Sequence, residues 1–379
     1  PCAVLPLDTS LATLPVGFYG SFWGVRPPEL MEKMSRMTLL ILMQNDGTCW
    51  RKCCPNAGAN GSACAPLHDA SVLPGCDPSC DQHGGQMATF AAVKAQAARG
   101  GRRPPHCMMY LNAVYLWPFD RADSLGVQLL DTQGQPHMEN NDAGLYPSFF
   151  WDFGRPEGAA AWLGVAQRAL RNGSVDGIYA DCYSKMPFKC KGNGTAAHCR
   201  AKRNGKLKSV NEQVTAAQVA SYTHGKTQTM QRAAALFTNE HQGSFFAFGV
   251  KDTTVPPPFG GNMVEIHQAV KKEADGRLGA GEGRDNHLTP AQLIAAVNAT
   301  LRVYKYATVG TGAAGAKKLG PAGSAAFGSE CGETSIALFL LAVEPGCVLM
   351  CQGWDDAFAR PLGLPAEPAR YDAATWTWS

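Results

Sequence analysis

The sequence predicts an α/β protein, a (β/α)8 TIM barrel with disulfide-stapled loop insertions, and three observations carry that expectation. Eight apolar runs of strand length recur along 379 residues. Amphipathic, Ala-rich stretches of helix length separate several of them, the alternation of a parallel sheet covered by helices. No Gly-rich phosphate turn follows the first run, as it would in a dinucleotide-binding open sheet. The length suffices for one large core, and eight strand-helix units with long loops fill a single domain over 1–379.

The first run, 17–23 (GFYGSFW), sets aromatics between glycines. The second, 39–45 (LLILMQN), is apolar without alternation, as in a strand covered on both faces, and stops at Gln44 and Asn45. The third, 108–114 (MMYLNAV), carries Asn112, and the fourth, 177–182 (GIYADC), ends on Asp181 and Cys182. The fifth is 244–250 (SFFAFGV). The sixth, 262–267 (NMVEIH), holds Glu265 and His267, two residues apart and so on one face. The seventh is 304–309 (YKYATV), and the eighth, 347–354 (CVLMCQGW), ends on Trp354. Helices are expected at 87–99, 156–171, 210–240, 290–303 and 333–343.

Three segments depart from this alternation. Residues 46–85 hold Cys49, Cys53, Cys54, Cys64, Cys76 and Cys80 among Gly, Pro, Asp and Asn, and read as a stapled cap over one barrel mouth. Residues 183–209 contain eight Lys and Arg and no acid, with Cys190 and Cys199 expected to close a hairpin by a disulfide. The tail, 355–379, is rich in Pro, Ala and Trp and is expected to pack on the outside of the barrel.

Fourteen scattered cysteines favour disulfides over zinc, and the sequons at Asn60, Asn172, Asn193 and Asn298 agree with a secretory route. A secreted glycoprotein, extracellular or at the cell surface, is expected. The chain begins at Pro1 with no leader-like stretch, as a processed precursor or a trimmed chain would. Its longest clean apolar run, 336–343, is far short of the roughly 20 residues of a membrane span. A net charge of +3 from 34 basic and 31 acidic residues gives no global field for nucleic acid.

In a (β/α)8 barrel the residues at the C-terminal strand ends converge on one mouth. Asp181 and Glu265 would then supply two carboxylates from nearby strands. Glycoside hydrolysis needs such a pair: one attacks the sugar or activates water, and the other, kept protonated, donates to the leaving oxygen. The plainer readings are a turn cap or Lys partner for Asp181 and a salt bridge or solvated position for Glu265. Asp176, at the opposite barrel end, reads as structural. Tyr19, Trp23 and Trp354 offer aromatic faces for sugar rings, and Gln44, Asn112 and His267 offer hydrogen bonds to hydroxyls. The basic loop offers a field for an acidic glycan beside the mouth, or a solvated insertion.

The segment "FFWDFGRPEGAAAWLGVAQRAL" (149–170) followed by "VDGIYADC" (175–182) resembles one found in many (β/α)8 glycoside hydrolases, where a strand-end Asp precedes "PE", a Trp-bearing helix and a "VDGI-x-x-D" strand. It is similar to the alpha-galactosidase and alpha-glucosidase barrels and to the polygalactosaminidase-like hydrolases. The stretches "ETSIALFLLAVEPGCVLMCQGW" (333–354) and "RPLGLPAEPARYD" (360–372) resemble the ends of uncharacterised glycosyl-hydrolase-like barrels. The resemblance covers roughly residues 105–379. It implies Asp181 as nucleophile or base, Glu265 as acid/base and Asp152 as a substrate-binding carboxylate. A plainer role for Asp152 is a favourable charge at the start of the helix near Pro156.

Other chemistries lack their residues. No G-x-S-x-G or H-E-x-x-H is present, and "GTGAAGAKKLG" (310–320) lacks the closing Gly-Lys-Ser/Thr of a phosphate loop. No metal and no cofactor is expected. The reading is a secreted glycoside hydrolase acting on a carbohydrate substrate. The alternative is a silent barrel that binds glycan or serves an extracellular assembly.

Overall fold

The structure is a computed structural model that describes residues 16–20, 28–42, 82–116, 126–130, 134, 138–140, 147–183, 186–190, 199–203, 206–207, 214–237, 244–247, 261–265, 295, 306–310, 347–351, 371–372 and 377–378. Strand β1 (Val16–Gly20) leads through helix α1 (Pro28–Met34) to β2 (Leu39–Leu42), and helix α2 (Gln82–Arg99) precedes β3 (His106–Tyr110). Short strands β4 (Tyr115–Leu116), β5 (Met138–Asn140) and β6 (Pro147–Phe150) come before α3 (Pro156–Asn172) and β7 (Gly177–Ala180). Then follow β8 (Phe188–Cys190), β9 (Cys199–Arg203), β10 (Lys206–Leu207), α4 (Ala216–Ala235) and β11 (Ser244–Ala247). Strands β12 (Gly261–Glu265), β13 (Tyr306–Gly310), β14 (Cys347–Cys351), β15 (Tyr371–Asp372) and β16 (Thr377–Trp378) complete the described elements.

Eight strands pair in parallel and close on themselves in the order β1, β2, β3, β7, β11, β12, β13, β14. All eight predicted runs overlap one of them. The register steps from Gly177 to Ser244, Phe246 to Gly261, Gly261 to Tyr306, Ala307 to Cys347, Leu349 to Val16, Gly17 to Leu39, Leu39 to His106 and Met108 to Gly177. Followed once around, these offsets leave a stagger of eight residues, the shear that tilts the strands of a (β/α)8 barrel.

Alternation along each strand splits the core in two. Leu39, Ile41, Met108, Tyr110 and Tyr179 cluster with Val348 and Met350 inside the ring. Leu40, Leu42, Met109 and Ile178 belong to the larger core shared with Phe90 of α2 and Trp162 of α3. Each such large apolar side chain, fully buried, contributes roughly 1.5–3 kcal/mol. Gly17 takes part by being small, because a Cβ there would stand 2.5 Å from Met350 Sδ and 3.1 Å from Leu39 Cβ.

Asp176 pins the N-terminal end of β7, as expected of a structural residue. It accepts from Lys94 Nζ at 2.8 Å and from the Cys107 backbone N–H at 2.7 Å. Asp176→Ala strands a partly buried ammonium and a buried amide, so a loss of about 2–4 kcal/mol is expected in chemical denaturation.

Element boundaries move by a few residues. Helix α2 starts at Gln82 rather than 87, and the helix expected over 210–240 occupies Ala216–Ala235. Its start is a capping box: Thr215 Oγ1 accepts from Gln218 N at 3.1 Å and Gln218 Oε1 accepts from Thr215 N at 2.8 Å. Helix α1 and the antiparallel sheet β4-β6-β5 are additions to the predicted elements. Residues 183–209 contain a three-stranded sheet, β10-β9-β8, and the tail contains the β15-β16 hairpin. Most of the 46–85 insertion and the helices expected at 290–303 and 333–343 lie outside the described residues, apart from residues 82–85 and Ala295, which are helical.

Candidate active site

Strand β7 ends at Ala180, and the three residues beyond it make a turn, with Cys182 in the left-handed region at φ 60°. That turn carries Asp181 off the end of the strand. Asp181 is 9% exposed. Its Oδ2 accepts from the Tyr110 hydroxyl and, at 3.4 Å, from Asn112 Nδ2; its Oδ1 accepts from the Cys182 backbone N–H at 2.6 Å. Each of these bonds meets a carboxylate oxygen with a donor.

The donors are fixed in turn. Tyr110 and Tyr179 are register partners on β3 and β7, so Asn112 and Asp181, each two residues on, fall on the same interior-facing set. Asn112 Nδ2 also donates to the Tyr110 oxygen at 2.9 Å, while its Oδ1 accepts from Val114 N at 2.9 Å and Tyr115 N at 2.7 Å. Trp162 Nε1 donates to the Asn112 carbonyl at 3.0 Å, tying the Trp-bearing helix to this loop. Asn112, predicted to meet substrate hydroxyls, engages both ends of its amide in this network.

The register also places Glu265. Tyr179 lies opposite Phe246, and Phe246 opposite Gly261, so Gly261, Met263 and Glu265 share the face of Tyr179 and Asp181. Glu265 is the last residue of β12, at the same barrel end as Asp181. Tyr19 on β1 shares this face through its partner Ile41. Trp23, Gln44, His267, Trp354, Asn60, Asn193 and Asn298 lie outside the described residues. Asn172 ends α3 and is exposed.

Asp152 has local work. Its Oδ2 accepts from Arg155 Nε at 2.6 Å and its Oδ1 from Gly154 N at 3.1 Å, closing the turn that starts α3. Tyr222 of α4 is near enough to feel its charge: burial pushes the phenol well above its usual range, and Asp152 and Tyr115 add to the shift. Cys107, Cys182 and Cys347 are buried thiols. Among the described residues no group of three or more His, Cys, Asp and Glu could hold a metal ion, and no helix is long and apolar enough to cross a membrane.

Two contributors lie beyond the candidates that the sequence singles out. Tyr110 is legible there only as a core aromatic, although Tyr110 and Asn112 keep the alternation of Tyr179 and Asp181. Lys226 stands on α4 in the buried stripe of Tyr222, Thr229, Met230 and Ala233. Its Nζ donates to the Tyr183 carbonyl at 2.6 Å and the Cys182 carbonyl at 3.4 Å. Burial lowers this lysine from 10.5 to about 7, against the opposing pull of Cys182 and Asp181. The unfolded chain thus binds the proton more tightly, so the contribution of Lys226 to stability is full above about 10.5 and is lost as pH falls through about 7.

No protein-family model and no curated protein matches the chain. Its structural neighbours are glycoside hydrolase barrels. A maltogenic alpha-amylase, AmyB of Thermotoga neapolitana, is 12% identical over 93% of this chain and 73% of its own, with a TM-score of 0.47. Ega3 of Aspergillus fumigatus, in complex with galactosamine, is 10% identical over 76% of this chain and 86% of its own, with a TM-score of 0.37. An alpha-galactosidase from Thermus thermophilus is 11% identical over 62% of this chain, with a TM-score of 0.33. The chain spans 38% of the length of that enzyme. The strand register, rather than these likenesses, carries the barrel.

Proposed function

We propose that the chain is a secreted glycoside hydrolase that cleaves a polysaccharide or other glycan, an acidic one, by a two-carboxylate mechanism. Asp181 acts as nucleophile or base, and Glu265, in its protonated form, donates to the leaving oxygen. Tyr19, Trp23 and Trp354 stack on sugar rings, and Gln44 and His267 bind hydroxyls. The observation that carries the reading is the Asp181 carboxylate, held by Tyr110, Asn112 and the Cys182 amide on the register face it shares with Glu265. Screening the protein against a library of neutral and acidic glycans, with Asp181→Asn and Glu265→Gln alongside, tests it. The anomeric configuration of the first product, read by NMR, separates retention from inversion.

The rest of the chain serves that mouth as one barrel domain over 1–379. Residues 46–85 form a disulfide-stapled cap, and the tail packs on the barrel. Cys190 and Cys199 are direct partners across β8 and β9, the Cα spacing a disulfide needs, which supports a bridge closing the basic insertion. Glycosylation at Asn60, Asn172, Asn193 and Asn298 accompanies export.

Acidic substrate is argued from the same insertion. Phe188 is buried against Tyr222, ring centroids 5.4 Å apart, and alternation then assigns Lys189, Arg200 and Lys202 to the opposite face of the sheet. Replacing these three by Ser should weaken binding of a sulfated or uronic polymer about tenfold or more at low salt and leave a neutral polymer unaffected. Equal effects on both polymers would remove the charge from the account.

A second reading, a silent barrel that binds glycan or holds an extracellular assembly, is favoured by the burial of Asp181 and the internal satisfaction of both its oxygens. Substrate turnover in the screen decides between the two.

A further inference from the structure

Lys226 is a costly residue to place where it stands. It is 3% exposed, and an ammonium that leaves water must recover its hydration from a few fixed acceptors. Among those acceptors are the carbonyls of Cys182 and Tyr183, the two residues directly after Asp181, and the Tyr183 ring adds a face 5.4 Å from Nζ. A Met at this position would fill the same stripe without the desolvation.

The backbone under this contact is itself unusual. Cys182 is the one non-glycine described residue with a positive φ, a conformation that its Cβ disfavours and that persists only where the surroundings hold it. Its N–H is the donor to Asp181 Oδ1. The peptide planes that set the direction of that N–H are thus next to those whose carbonyls Lys226 binds.

We infer that Lys226 is a positioning residue: from helix α4 it locks the left-handed turn at Cys182 and Tyr183, and through that turn it aims the Asp181 carboxylate into the barrel mouth. The inference rests on the reading of Asp181 as the reacting carboxylate for its consequence in catalysis, and on the turn alone for its structural content. Lys226 does not touch substrate in this role. Its removal should therefore misdirect Asp181 without opening the barrel.

The test uses the full chain as wild type, Lys226→Met, which keeps the apolar stem, and Lys226→Gln, which keeps an N–H donor. Amide hydrogen exchange is followed at Cys182 and in β3 as a reference. In the Met variant the Cys182 amide should exchange about tenfold faster or more while β3 is unchanged, and the Gln variant should recover most of the protection. On the first glycan of the screen that wild type cleaves, kcat should fall about 10- to 100-fold in the Met variant with KM held, and recover in part with Gln. Wild-type exchange at Cys182 as slow as in β7 is a further expectation that needs no variant to fold. Cys182 exchange in the Met variant equal to wild type, or a rise shared by β3, overturns the lock. Should Asp181→Asn keep full turnover while the exchange result holds, the reading of Asp181 as the reacting carboxylate falls and the lock stands.

Discussion

On the proposed two-carboxylate mechanism, Asp181→Asn is expected to lower glycan cleavage by about 10²- to 10⁴-fold in a protein that stays folded. The substitution is nearly isosteric, and the surrounding donors decide how it sits. If the new Nδ2 faced the Cys182 N–H, two donors would oppose each other in a buried site. With Oδ1 kept on the Cys182 amide, Nδ2 instead faces the Tyr110 hydroxyl, which can turn its proton away and accept. The long hydrogen bond from Asn112 Nδ2, 3.4 Å in the native site, has no acceptor in that arrangement, so the stability cost should be about 1 kcal/mol. What cannot be recovered is the negative charge and the basic oxygen. Turnover on the first glycan of the screen, measured beside a denaturation curve, separates these effects. Azide restoring turnover to Asp181→Gly would mark a nucleophile, since the anion can attack the anomeric carbon in the vacated space. Asp181→Asn with wild-type turnover would remove Asp181 from the chemistry; no turnover by wild type on any glycan of the screen would leave the silent barrel.

The contrast between Asp181 and Asp176 shows what is legible in the sequence. Both carboxylates flank one apolar run, and barrel logic alone separates the end that meets the mouth from the end that braces the strand. The structure gives Asp176 a lysine and a backbone amide, and Asp181 a tyrosine, an asparagine and a turn amide. The runs at β2, β3 and β7 are readable because strands buried along their whole length leave continuous apolar signals. Their ends are less so: the fourth run continues through Cys182, whereas the strand stops at Ala180 and the chain turns left-handed. No propensity marks a cysteine for a positive φ. The conformation is held by contacts from another element, and Lys226 is 44 residues away in sequence from Cys182. Tyr110 is hidden for the converse reason, since an interior aromatic and a carboxylate partner look alike in sequence. The two three-stranded antiparallel sheets are built from strands of two to five residues, too short for a period to show. Helix α1 does carry a signal, Pro28 followed by Glu29 ahead of an apolar pair, the start pattern that also opens α3.

Gly225→Ala should be the most damaging conservative change in the helical layer, and Gly164→Ala, on the neighbouring helix of the same layer, should do the opposite. Helices α3 and α4 both rest on the main chain of the 152–154 turn. A Cβ on Gly225 would overlap the Phe153 carbonyl oxygen and stand 2.9 Å from its carbon, and one on Gly158 would overlap the Asp152 carbonyl oxygen and stand 2.7 Å from its carbon. Ser221 Oγ donates to the Gly154 carbonyl at 3.0 Å, so α4 cannot withdraw without breaking that bond too. Alanine in a helix gains about 1 kcal/mol over glycine, but a clash with backbone has no rotamer to escape through and costs about 1–3 kcal/mol or more. At these separations the clash wins, and a net destabilisation of about 2 kcal/mol is expected for Gly225→Ala in urea denaturation. Gly164 meets nothing within 4 Å, so there only the propensity difference remains and Ala should stabilise by up to about 1 kcal/mol. The sign of the pair is the test, because a uniform response of helical glycines would deny the close approach. Gly225 also precedes Lys226 directly. Pushing α4 outward should therefore loosen the lysine's hold on the Cys182 turn, and faster Cys182 exchange in Gly225→Ala, with Gly164→Ala at the wild-type rate, would tie the packing of this layer to the aim of Asp181.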